Sequence, residues 1–204
     1  MSEAVWVSNA YSDTSLVKPF NPENFARDKG AVTDLAIRHT RGETLGSNDF
    51  PKTFVCKYRD KKMGRQPDFF AAGSFWCVSS RFADVLRDFD LGGGGLYPVR
   101  LQQYDRETPV EGSYFGLDLG SQKRCISEAR SRLQILGAGV PPAVPADHHD
   151  DDIAVTEDAL LGADLWTDPG LFKCLFFSDR LATALKRQKL AARLKLKRCR
   201  IVSI

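Results

Sequence analysis

Apolar and polar positions change their spacing several times along the chain, and the changes mark out its elements. VWVS at 5–8 reads as a strand, and Pro19 and Pro22 interrupt the stretch after it. PENFARDKGAV predicts a short helical or turn segment, because Pro22 suits a first turn and Gly30 suits an end. DLAIRH and TFVCKY are apolar-rich runs of strand length, separated by the turn-forming RGETLGSNDFP. RDKKMGRQPD is polar and basic, which predicts an exposed loop.

The centre is more regular. FFAAGSFWCV is an apolar run that leads into Ser79 and Ser80, and RFADVLRDFDL then places apolar residues at 82, 85, 86 and 89. That spacing makes one helical stripe, with a serine hydroxyl in place to cap the first turn and Gly92 to stop the helix. LYPVRLQQYD, SYFGLDL and KRCISEA come next as strand candidates with turns at ETPVEG and LGSQ, which predicts an antiparallel meander. GAGVPPAVPADHHDDD at 137–152 is rich in Gly, Pro and Asp and reads as a linker or surface loop. Beyond it, DIAVTEDALLGADLW holds a strand and a short helix, LFKCLFFS runs into the helical DRLATALKRQKLAARL, and RCRIVSI closes as a strand.

The end echoes the centre. SSRFADVL at 79–86 lines up with SDRLATAL at 178–185, matching Ser79 to Ser178, Arg81 to Arg180, Ala83 to Ala182 and Leu86 to Leu185. Either two related strand–helix–strand units share one domain, or capped amphipathic helices match by chance. The fold class is α+β, with antiparallel sheet and two serine-capped amphipathic helices.

At 204 residues, with 43% hydrophobic and 27% charged, the chain fits one large or two small soluble domains. No apolar stretch approaches the roughly 20 residues that span a bilayer, and MSEAVWVSNAYSD has neither the basic start nor the apolar run of a secretory leader. Cysteines at 56, 77, 125, 174 and 199 are odd in number and widely spread, as expected of reduced structural thiols in a reducing cytoplasm.

Charge is segregated. Residues 133–172 hold Asp147, Asp150, Asp151, Asp152, Glu157, Asp158, Asp164 and Asp168 and no Lys or Arg, while 186–200 hold eight basic residues and no acid. The two blocks either face each other and the solvent, or steer a charged partner. A nucleic-acid module would use Lys195, Lys197 and Arg198, but no aromatic residues interleave with them for stacking.

Catalytic signatures are missing. No serine elbow, Cys–His signature or zincin helix occurs, so no catalytic residue is assigned. The glycines at 92–95 come after a helix and lack the Lys–Ser/Thr of a phosphate loop, so they read as a flexible helix-to-strand turn. His148 and His149 are adjacent among aspartates without zinc-motif spacing, and His39 stands alone as a structural residue. Neither a metal nor a cofactor is expected.

One arrangement points further. Val78, Ser79 and Phe82 at a helix start, then Pro98 and Val99 in a strand, then Phe177, Ser178, Leu181 and Leu185 at a second helix succeed one another in order. In this the chain resembles a family of bacterial immunity proteins of polymorphic toxin systems, over about residues 70–204. Where that family often carries D-x-x-D before an Arg–Ser pair, this chain has CISEARS, keeping Arg130 and Ser131. The resemblance implies an immunity-protein-like α+β domain at 70–204; it does not cover residues 1–69, which read as a mixed region packed on or extending that core. It implies a non-catalytic cytoplasmic protein that blocks a cognate toxin domain by direct contact, without membrane or nucleic acid. The contact surface expected from the acidic segment is Asp150, Asp151, Asp152, Glu157 and Asp158, with Trp166 as anchor, and it would suit a basic toxin such as a nuclease. The alternatives are the nucleic-acid module or, with less support, a small-molecule enzyme.

Overall fold

The computed structural model describes residues 4–8 and 10–203, so the leader reading and the last position of RCRIVSI fall partly outside it. Its elements run β1 (Val5–Ser8), β2 (Val17–Lys18), β3 (Phe20–Pro22), α1 (Lys29–Thr40), α2 (Gly46–Asp49), β4 (Thr53–Cys56), β5 (Phe69–Ala72), β6 (Phe75–Ser79), α3 (Ser80–Leu86), β7 (Gly95–Gln102), β8 (Tyr114–Asp118), β9 (Ala154–Thr156), β10 (Leu165–Trp166), β11 (Leu175–Ser178), α4 (Asp179–Arg187), β12 (Lys197–Arg198) and β13 (Arg200–Val202). The class is α+β.

A seven-stranded sheet has the order β2-β5-β6-β8-β7-β4-β3. Its two edge strands, β2 and β3, are separated in the chain by Pro19 alone. One residue spans only about 3.5 Å, so the edges must meet and the sheet curls into a nearly closed barrel. Strands β5 and β6 show both of its faces. Phe70, Ala72, Phe75 and Cys77 join one apolar cluster, and Phe69, Ala71, Trp76 and Val78 join another. A strand buried on both faces has no polar side, which is why FFAAGSFWCV reads as one unbroken apolar run. In the structure it is a hairpin, turned at Gly73 with φ +64°.

The first cluster also takes in Val32 of α1, Leu45 and Phe50. The second is covered by α3, α4 and by Leu175 and Phe177 of a four-stranded antiparallel sheet ordered β10-β11-β1-β12. Behind that sheet, Val5, Val7, Trp166 and Phe176 pack with Cys125, Ile153 and Val155 in a third cluster. The first 69 residues contribute to both sheets, since β1 lies between β11 and β12 and β2 pairs with β5.

Several sequence expectations change. DLAIRH is helical: Asp28 Oδ1 accepts from the Ala31 amide at 3.0 Å and starts α1. Gly30 then falls in the first turn instead of at an end. Val32, Leu35, Ala36 and His39 keep the helical spacing of three, four and seven, and the six-residue run leaves out Val32, where the stripe begins. KRCISEA forms no extended strand: it meets β9 in a single antiparallel bridge, Ile126 to Val155, while the amides of Cys125 and Ile126 both donate to Asp168 Oδ2 at 2.8 Å. The meander is part of a mixed sheet, in which β2·β5 and β4·β7 are parallel. Helix α3 stops at Leu86, short of the glycines.

The internal echo has a structural counterpart deeper than the aligned letters. Ser79 Oγ accepts from the Phe82 amide at 3.4 Å, and Ser178 Oγ from the Leu181 amide at 3.3 Å. Each serine hydroxyl also donates to an aspartate at 2.5 Å, Ser79 to Asp68 and Ser178 to Asp164. Each serine amide reaches the carbonyl of the same aspartate, and each aspartate pairs with the arginine two residues on, Arg81 or Arg180. Asp68 precedes β5 and Asp164 precedes β10, so the shared unit is a hairpin followed by a capped helix.

Candidate partner-binding surface

The acidic and basic segments lie against each other. Arg132 pairs with Asp147 at 2.7 Å and Asp152 at 2.9 Å, and Arg198 with Asp151 at 2.7 Å. Asp150 accepts from the Arg198 amide at 2.8 Å, and Glu157 from the Ser203 hydroxyl at 2.9 Å. The His149 amide and Arg132 hold the Asp152 carboxyl below the usual range. Asp158 is exposed. In place of an open acidic patch the structure shows a stitched face, where Asp150, Asp151 and Asp152 tie the 147–152 turn to Arg132 and β12. Lys195 is likewise paired, with Asp13 at 2.8 Å; that hydrogen bond leads the causes that bring the Asp13 carboxyl to about 2.

Trp166 does not serve as a surface anchor. It is fully buried on β10, stacked on Phe176 with centroids 5.6 Å apart, and Lys123 Nζ stands 3.6 Å from its ring centroid. Lys123 is itself held low, chiefly by burial.

The remaining candidate chemistry is structural. His148 is buried, with Nδ1 2.9 Å from the Pro145 carbonyl oxygen. Among the described residues, no group of three or more His, Cys, Asp or Glu side chains converges to hold a metal ion. The glycines at 92–95 serve close approach: a Cβ on Gly94 would lie 2.2 Å from the Asp118 carbonyl oxygen. All five cysteines are free and buried, and burial pushes the Cys125 and Cys174 thiols up to about 12. A thiol held so high is no nucleophile at neutral pH.

A different surface stands out. Between α1, the β5–β6 turn and the loops at 139–141 and 167–174 lies a groove of about 940 Å³. Phe25, Val32, Ala36, Phe75 and Leu171 supply apolar lining. Ile37 (42% exposed), Val140 (42%) and Phe172 (39%) stand open to solvent along it. Arg41, Lys57 and Lys173 complete the rim; all three are exposed, and none makes an ion pair among the described residues.

The walls are fixed by hydrogen bonds. The Phe172 amide donates to the Pro142 carbonyl at 2.8 Å, joining the two loops. Gln122 Nε2 and Thr167 Oγ1 both donate to the Arg41 carbonyl and hold the end of α1, the second at 3.1 Å. Asp168, a lining carboxylate, is buried and accepts from the amides of Cys125, Ile126 and Gly170. Sequence reasoning missed this surface because its residues come from seven separate stretches and share no period.

Comparison with protein families matches residues 15–194 to the immunity protein family Imm11, a span that includes most of the N-terminal region. No curated protein matches the chain.

Proposed function

The chain belongs to the immunity protein family Imm11, and on that basis we propose that it neutralises a cognate bacterial toxin domain by direct, non-catalytic protein contact. Family membership carries the reading. Support comes from the open groove, since exposed apolar side chains, an aromatic among them, beside an arginine are what a protein interface uses. The five free, buried thiols fit a reducing cytoplasm as the place of action. No helix among the described residues is long and apolar enough to cross a membrane.

The stitched acidic face offers less to a basic toxin than an unpaired patch would, because Arg132 and Arg198 offset its charge. The nucleic-acid reading weakens for the same reason, with Lys195 and Arg198 paired inside the fold.

The test is affinity capture of the tagged chain from its own cells, followed by expression of the captured partner's domains in a naive host. The expected result is a stoichiometric protein with one domain that arrests growth alone and is harmless alongside this chain. Recovery of nucleic acid, or of a partner whose domains are all harmless, would contradict the proposal.

A further inference from the structure

We infer that the groove beside α1 seats an acidic segment of the partner protein, one that carries apolar side chains between its carboxylates. The inference rests on the toxin-binding reading and names the chemistry of the partner's contacting surface.

Three observations converge. The apolar side chains Ile37, Val140 and Phe172 stand about two-fifths exposed along the rim instead of being enclosed, which suits a macromolecular surface more than a sequestered small ligand. The charges are one-sided: Arg41, Lys57 and Lys173 make no ion pair among the described residues, Lys173 Nζ standing 5.0 Å from the Phe172 ring centroid, and Asp168 is spent on three backbone amides. This contrasts with the 147–152 face, where Arg132 and Arg198 already answer the acids. Finally, the walls are fixed before binding by the Phe172–Pro142 link and the two bonds to the Arg41 carbonyl, so little ordering cost remains.

A lysine-bearing segment would meet three cations with no free carboxylate to answer them. A second copy of this chain would set one cationic rim against another. An acidic segment meets complementary charge at the rim and apolar surface below, an arrangement that sets orientation and on-rate together.

Two synthetic peptides with the same Leu and Phe positions, one with Glu and the other with Lys between them, test this on the full chain by fluorescence anisotropy. The acidic peptide should bind at least about tenfold tighter, with affinity falling as salt rises. The R41E/K57E/K173E variant should reverse the preference, and Phe172→Ser should weaken the acidic peptide about tenfold or more. All four substituted positions are exposed, and circular dichroism checks that each variant keeps the fold. Equal affinity for both peptides, no binding of the acidic one at about millimolar concentration, or a concentration-dependent dimer lost in Phe172→Ser would overturn the inference.

Growth assays separate the two levels. If wild type protects a host from the captured toxin and R41E/K57E/K173E protects equally, the groove assignment fails and the immunity reading stands. If wild type gives no protection, the immunity reading itself fails.

Discussion

At the scale of single residues, His39 shows how burial sets a charge state. Its Nε2 accepts from the Trp76 amide at 3.2 Å, and its ring lies 5.4 Å from Phe75 and 5.7 Å from Phe50. Its Nδ1 is buried without a partner, and burial lowers its pKa to about 3. In the unfolded chain the same imidazole takes a proton near pH 6.5. Between those values the unfolded state binds more protons, so stability is full above about pH 6.5 and falls as the pH drops toward 3, by about 1.4 kcal/mol per pH unit from this group alone. His39→Gln retains an acceptor for Trp76 and should flatten that slope. Urea unfolding at several pH values checks it, and equal slopes in both proteins would remove His39 as the cause. Gly116 makes a steric case: a Cβ there would lie 2.0 Å from the Phe50 ring, whereas Gly64 has nothing within 4 Å. Gly116→Ala should cost about 3 kcal/mol, and Gly64→Ala should stay within about 0.5 kcal/mol, read as a difference in urea midpoints.

At the scale of elements, the two hairpin–helix units make a graded prediction. Both use an aspartate to hold a capping serine and an arginine, but Asp164 is 1% exposed and Asp68 is 36% exposed. Asp164 also accepts from the Asp90 amide at 2.8 Å. Asp164→Ala should therefore destabilise by about 3 kcal/mol, through the loss of a buried carboxylate that accepts from Ser178, Arg180 and the Asp90 amide at once. Asp68→Ala should cost about 1 kcal/mol, as expected of a partly exposed pair. Equal effects in denaturant unfolding would contradict the reading that burial decides. These units were legible in the sequence because capping is local: Ser79 and Ser178 stand next to the helices they start. Their aspartates were not legible, since each lies 11 or more positions from its serine and is brought there by the hairpin. The helix α1 was hidden for a related reason, in that one stripe of Val32, Leu35, Ala36 and His39 crosses a run that resembles a strand when read six residues at a time.

At the scale of the whole molecule, a sequence signal survived where burial keeps a local period and faded where distant segments meet. The strands β1, β4, β6, β7, β8 and β11 matched apolar runs. The closure of the seven-stranded sheet was not visible, because it depends on β2 and β3 reaching opposite edges across Pro19. The charge blocks were obvious in composition, but only the folded chain shows that Arg132 and Arg198 sit among the acids. Trp166 reads as a surface anchor beside acidic residues, yet β10 is buried on both faces and Trp166 stacks on Phe176. The groove drew on Ile37, Arg41, Lys57, Val140, Phe172 and Lys173, which no single window contains. The family match over residues 15–194 spans these parts. The most direct measurement of the central claim is a titration of the purified partner toxin's activity with this chain. The account predicts a linear fall to background at one equivalent; full toxin activity in the presence of excess folded chain would contradict it.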